Sequence, residues 1–204
     1  MTAPVLYYVY DPMCSWCWAY APVLARVRAA LSNQLTIVDV LGGLAADTDE
    51  PMPEAQRAEI EGIWRRIQSE LETPFNYAFW RENTPRRSTY PACRAVLAAA
   101  QQGAAVAMTS AIQVAYYQRA MNPSDDDVLL QLADELELDF ARFSADFFSE
   151  AIAAEHQQHR ALRQRLGAHQ FPSWVLVKNG EAIPILLDYH AAEPTLAQLS
   201  MWLS

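Results

Sequence analysis

The sequence predicts an α/β fold: a four-stranded mixed sheet with a large all-helical insertion between its second and third strands. Three observations carry that expectation. The N-terminal segment runs apolar strand, helix, apolar strand, a βαβ unit that should be parallel and right-handed. The middle of the chain reads as helix almost throughout. The C-terminal segment returns to two short apolar runs joined by Asn179-Gly180, a strong hairpin signal, and ends in a helical pattern.

Residues 5–10 are apolar and rich in Val and Tyr, which suits a buried strand, and Asp11-Pro12 ends it. Over residues 14–31, Trp18, Val23, Val27 and Leu31 recur near one helical face, while Pro22 inside the pattern should kink the helix or detach its first turn. Residues 35–41 read as the second strand, closed by Gly42-Gly43. From 53 to 166 the periodicity is helical. Ile60, Ile63, Trp64, Ile67 and Leu71 share a face, and residues 92–100 are apolar nearly all round and so expected to be buried. Residues 122–127 are rich in cap formers and first-turn acids, marking a helix start, with Val128, Leu129, Leu132 and Leu136 following on one face. Phe140, Phe143, Phe147 and Phe148 form another apolar stripe. Residues 174–178 and 181–187 are the hairpin strands, and 192–203 the terminal helix. The expected division is therefore a sheet domain over 1–46 and 167–204 and a helical insertion domain over 47–166. At roughly 120 residues the insertion is large enough for a core of its own.

The chain has 204 residues, 52% of them hydrophobic and 19% charged, so there is material for packed cores and no tract that argues for disorder. Its formal net charge of -9, with only short groups of arginines, argues against nucleic acid and against docking on an anionic membrane. No stretch is long and apolar enough to cross a bilayer, and Met1-Thr2-Ala3-Pro4 leading straight into a strand does not read as a secretory leader. The expected location is the cytoplasm.

Three cysteines are too few for a disulfide scaffold, and two of them form the tight pair Cys14-Ser15-Trp16-Cys17 where the first strand hands over to the first helix. A thiolate, not a thiol, attacks a disulfide, and a free cysteine is mostly protonated near neutral pH. At a helix N-terminus the first amides lack intrahelical partners and the helix dipole favours negative charge. Amides such as those of Trp16 and Cys17 are then placed to hydrogen-bond the Cys14 sulfur, which should lower its pKa and make it the attacking, more exposed thiol. Residues three apart on a helix share a face with about 5–6 Å between Cβ atoms. A disulfide needs Cα atoms roughly 4.4–6.8 Å apart, so one helical turn closes this bond with little distortion. Cys17, deeper, would keep a higher pKa and resolve the mixed disulfide.

A structural zinc site would need four ligands. Cys93 stands alone, and His156 with His159 falls in a polar stretch, 155–160, that reads as a solvated helix face, so no metal is expected. Cys93 itself reads as a core residue on an apolar helix. Asp11 beside Pro12 reads first as a turn former, with tuning of the thiolate or acceptance of a proton as the alternative. Trp16, between the cysteines, is the candidate apolar contact for unfolded or extended polypeptide.

The segment Tyr10-Asp11-Pro12-Met13-Cys14-Ser15-Trp16-Cys17-Trp18, together with Gln170-Phe171-Pro172-Ser173-Trp174-Val175 near the other end, resembles the two signatures of the DsbA family, especially its FrnE-like cytoplasmic branch. The resemblance implies a thioredoxin fold, with Pro172 as the cis-proline beside the cysteines and Phe171 pairing its backbone with an extended substrate. Two departures stand out. Ser15-Trp16 replaces the Pro-His of the periplasmic oxidant, removing one source of thiolate stabilisation. Tyr8 occupies the place, six residues before the first cysteine, where thioredoxin-like proteins often carry a buried acid. The related kappa-class glutathione transferases and hydroxychromene carboxylate isomerases have serine or another residue at the first cysteine position and bind glutathione. Both cysteines are present here. Arg86-Arg87-Ser88-Thr89-Tyr90 enters the helical block where that branch places ligand contacts, which would have it line the cleft, although a polar loop before a helix is the reading preferred here.

These readings converge on a thiol–disulfide oxidoreductase acting as a protein disulfide reductase or isomerase. Its catalytic residues would be Cys14, Cys17 and Pro172, with Trp16 and Phe171 contacting substrate. No bound cofactor or metal is expected, with glutathione as the possible electron donor. The partner would be a polypeptide or a low-molecular-weight thiol or disulfide, and a homodimer stays open. Two other readings stand beside it: a glutathione-dependent transferase or isomerase acting on small molecules, and a redox-independent polypeptide-binding protein.

Overall fold

The computed structural model describes residues 3–32 and 34–203; the lead-in Met1-Thr2 and the last residue of the expected sheet domain lie outside the described residues. The elements in chain order are β1 (Val5–Tyr10), α1 (Ser15–Leu31), β2 (Thr36–Leu41), α2 (Glu54–Leu71), α3 (Phe79–Glu82), α4 (Tyr90–Ala100), α5 (Ala105–Tyr117), α6 (Asp126–Glu135), α7 (Phe140–Phe147), α8 (Glu150–Arg165), β3 (Ser173–Lys178), β4 (Glu181–Ile185) and α9 (Glu193–Leu203). They divide into two compact units, one of Met1–Gly42 with His159–Ser204 and one of Gly43–Gln158. Both divisions come earlier in the chain than the pattern of the sequence placed them. The last turns of α8 go with the sheet because Leu162 and Leu166 pack into its core.

In the sheet unit the strand order is β2-β1-β3-β4. β1 pairs with β2 in parallel, and β1–β3 and β3–β4 are antiparallel, so the sheet is mixed as expected. Side chains alternate between faces along a strand. Val9, Val40 and Val175 lie in one cluster with Leu166 and Ala168, flanked by Tyr7, Val38, Leu162, Phe171 and Val177. Burying side chains of this size stabilises the fold by about 1.5–3 kcal/mol each before entropic costs. The intervening Tyr8 packs instead against Tyr10, Tyr20 of α1 and Trp174, its register partner on β3. The Trp174 indole Nε1 donates to the Tyr20 hydroxyl at 3.0 Å, which satisfies a polar group that burial would otherwise strand. Helix α1 runs as one element through Pro22, so its first turn is not detached, with Tyr20, Val23 and Val27 buried on either side of the proline. Tertiary packing outweighs the one lost donor.

The helical unit is built around Trp64 of α2, ringed by Phe75, Trp80, Tyr116 and Tyr117 at centroid distances of 5.1, 4.8, 5.3 and 5.3 Å. Helix α4 is buried over nearly its whole length, as its apolar circumference predicts. The phenylalanine stripe is met in part, and one expectation fails. Of the phenylalanine stripe only Phe143 and Phe147 are buried, while Phe140 and Phe148 are 46% and 60% exposed, because they open and follow the short α7 and face away from its packed side. The 155–160 stretch is not simply a solvated face either: His156 is buried, edge-on to Tyr90 at 4.8 Å.

Candidate functional site

β1 ends at Tyr10, and the chain turns through Asp11-Pro12-Met13. The Asp11 carboxylate accepts the Met13 N–H at 2.8 Å, and the Asp11 carbonyl accepts the Cys14 N–H at 3.0 Å. This side-chain-closed turn is what Asp before Pro favours. It delivers Cys14 to the N-cap of α1 with extended backbone, φ -85° and ψ 119°, and the Cys14 carbonyl accepts the first helical bond from Trp18 N–H at 3.0 Å.

The Cys14 sulfur does not take the amides expected for it, since no side-chain cap bond forms at the start of α1. It donates instead to the Phe171 carbonyl at 3.6 Å. Neither cysteine is in a disulfide, so the sulfur has a hydrogen to give to that carbonyl. Cys14 is 6% exposed and Cys17 1%. Burial pushes the Cys17 thiol well up from its ordinary range. A hydrogen bond and charge from Cys14 and the charge of Asp11 push the same way, against a bond from the Asp11 backbone N–H. Asp11 is thus both turn former and a fully buried neighbour of the deeper thiol. Tyr8 is buried too, its phenol raised by burial first and by Cys17 next.

The Phe171–Pro172 peptide bond is cis, and Pro172 is buried. The Phe171 ring is partly enclosed. It lies against Gly42, where an added Cβ would come within 2.0 Å of the ring, and the Arg163 guanidinium stands 5.0 Å from its centroid. Trp16 is half-buried and meets Tyr189 edge-on at 5.2 Å, while Tyr189 in turn meets Tyr20 at 5.6 Å. The Tyr189 phenol is raised by burial and then by Cys17 and Cys14, which places it beside the pair. Sequence reasoning missed Tyr189, Gly42 and Arg163. Tyr189 lies in an irregular turn after β4 with no periodicity to mark it, and the two others act only through long-range contacts.

The Arg86–Tyr90 segment follows a different course. Arg86 pairs with Asp125 at 2.7 Å and lines, with Asp47, Arg94, Ser124 and Asp126, a cavity of about 430 Å³ within the helical unit. Among the described residues no cluster of His, Cys, Asp and Glu is arranged to hold a metal ion, and no helix is long and apolar enough to cross a membrane.

A strand-to-helix CxxC, a cis-proline loop facing it and a β-α-β…β-β-α order leave one family to compare, and a Thioredoxin family model matches residues 7–191. The chain belongs to the thioredoxin family. Among solved structures of that fold, a Nitrosomonas europaea protein provisionally assigned as a protein disulfide isomerase is 28% identical, with a TM-score of 0.85 over 99% of this chain and 98% of its own. The cytosolic disulfide reductase DsbM from Pseudomonas aeruginosa is 27% identical, with a TM-score of 0.79 over 98% of this chain and 100% of its own, and the same reductase is known with GSH. These likenesses agree with the DsbA-family resemblance read from the two ends of the sequence, and with a thioredoxin fold carrying a helical insertion. The ClpXP adapter protein SpxH of Halalkalibacterium halodurans is 25% identical over 154 residues, 72% of this chain and 50% of that protein. The chain spans about half the length of the curated relatives it matches.

Proposed function

We propose that this thioredoxin-family chain is a thiol–disulfide oxidoreductase that reduces or reshuffles disulfides of polypeptides or small thiol compounds, with glutathione as electron donor. The observation that carries the reading is the Cys14–Cys17 pair at the start of α1, with the Phe171 carbonyl on the outer sulfur. Likeness to a cytosolic disulfide reductase, known also with GSH, supports the direction, the donor and a cytosolic location.

Cys14, as thiolate, attacks a substrate disulfide and forms a mixed disulfide, and the departing substrate sulfur takes up a proton. The Cys17 thiol then loses its proton and attacks the Cys14 sulfur. The second substrate thiol is released, leaving a Cys14–Cys17 disulfide. Two glutathione thiols return the pair to the dithiol and leave as glutathione disulfide. The order of events follows from what holds the Cys17 proton. Two of the influences keeping that thiol neutral are the hydrogen bond and charge of Cys14, and both vanish once Cys14 is in a mixed disulfide. Burial, the largest influence, and the charge of Asp11 remain, so the mixed disulfide eases the loss of the Cys17 proton without removing its main cost. Trp16 and the Phe171 backbone serve as the substrate contacts, and Pro172, without an N–H, leaves the loop beside the sulfurs free of a competing donor.

The deciding experiment is the potential of the Cys14–Cys17 couple against glutathione. A value below the cytosolic poise fits a reductase and one well above it an oxidant or isomerase, while a pair that never closes would end the proposal. Likeness to the ClpXP adapter proteins keeps a second reading, redox-independent polypeptide binding. Binding that survives replacement of both cysteines would favour it. Glutathione binding that survives Cys14→Ser would favour a glutathione-dependent transferase or isomerase.

A further inference from the structure

One guanidinium in the sheet unit ties together three segments that meet at the site. Arg163 lies in the last turn of α8. Its Nη1 donates to the Gly42 carbonyl at 3.2 Å, just past the end of β2, and its Nε donates to the Ala168 carbonyl at 3.1 Å, in the loop that leads to β3. Its Cζ lies 5.0 Å from the centroid of the Phe171 ring. Gly42 touches the same ring: a Cβ there would fall 2.0 Å from Phe171 Cε1, 2.4 Å from Cζ and 3.1 Å from Arg163 Cδ. Backbone, ring and guanidinium form one contact set with no room for a methyl group. The carbonyl of that same Phe171 is the acceptor for the Cys14 thiol at 3.6 Å.

We propose that Arg163 is a positioning residue for the cysteine pair: it locks Phe171 so that its carbonyl faces the Cys14 sulfur, and so sets the balance between dithiol and disulfide. The proposal rests on the disulfide-exchange reading above. The balance is that of protein dithiol plus glutathione disulfide against protein disulfide plus two glutathione thiols. The Cys14–Cys17 bond forms as the glutathione disulfide breaks, and the two thiol protons pass to the glutathione sulfurs. The bond from Cys14 to Phe171 exists only on the dithiol side, because a disulfide sulfur has no hydrogen to donate. Whatever holds the carbonyl in place therefore favours the dithiol. Arginine suits the task. Its planar fork reaches two carbonyls in different segments while the delocalised cation lies near an aromatic ring, which a single ammonium does not reproduce.

The test uses the full chain as wild type, Arg163→Gln, Arg163→Lys and Gly42→Ala, equilibrated in glutathione buffers, with thiols trapped and counted by mass spectrometry, and melting measured in parallel. Arg163→Gln should move the equilibrium toward the disulfide by about threefold, the scale of one weak hydrogen bond. Gly42→Ala, which displaces the ring from its other neighbour, should move it in the same direction, and Arg163→Lys should fall between wild type and Arg163→Gln. Gly42→Ala and Arg163→Lys keep the test open if Arg163→Gln does not fold. Variants that melt lower but keep the wild-type equilibrium constant would overturn the proposal, because a purely structural role moves melting alone. A wild-type pair that closes normally while the variants match it defeats this proposal and leaves the exchange reading intact. A wild-type pair that never closes defeats both.

Discussion

The Cys14 sulfur donates to the Phe171 carbonyl across 157 positions of sequence. The contact joins the start of α1 to the loop before β3, and it exists only while the outer cysteine carries its proton. The site is thus arranged around the reduced pair, and its consequences can be measured.

Replacing the two cysteines separately should give different phenotypes. Cys14→Ser removes the sulfur proposed to attack and should lower disulfide exchange by at least about a thousandfold. Cys17→Ser should accumulate a mixed disulfide at Cys14, visible as an added substrate or glutathione mass that reductant removes. Equal activity in both variants and wild type would contradict the mechanism.

The deep thiol should make stability depend on pH in the alkaline range. Cys17 is held well above its ordinary 9.0, mainly by burial. Below 9.0 it is neutral in both folded and unfolded chains; above it the unfolded thiol ionises first, so its contribution to stability is lost as pH rises toward the folded value. Each unit of pH in that window costs about 1.4 kcal/mol. Melting of the reduced protein should therefore fall more steeply with pH in wild type than in Cys17→Ser, and parallel curves would refute it.

Asp11→Asn keeps an oxygen for the Met13 N–H but removes the charge beside Cys17. That charge works with burial and Cys14 to raise the Cys17 thiol, so Asn should let it ionise at lower pH. In a Cys14→Ser, Cys93→Ala background, the 13Cβ shift of the single labelled cysteine followed against pH reports Cys17 alone, and an unchanged titration would remove Asp11 from the electrostatics of the site.

Trp16, half-buried against Tyr189, offers only part of its ring to a ligand. Trp16→Ala should raise KM for an extended peptide disulfide by about tenfold, and by less for glutathione disulfide, which reaches less of the surface. Steady-state kinetics with both substrates separate the two, and an equal change would deny Trp16 a peptide-specific role.

Much of this was legible in the sequence because it is local. Short apolar runs bounded by turn residues specified the strands, Asn179-Gly180 the hairpin, the 3.6 period the helical insertion, and the placement of Cys14 and Cys17 three apart at a strand-to-helix junction their helical turn. Asp11 was read as a turn former and is one. What tertiary structure alone decided is which distant groups face those residues. The thiol's partner is a carbonyl rather than the neighbouring amides; a tyrosine from an unpatterned turn closes on Trp16; and Gly42 and Arg163 enclose the Phe171 ring. The physical reason is that periodicity records which face of an element is buried, whereas these contacts depend on how the sheet's register and the end of α8 bring separate segments together. No repeat within any one segment carries that information.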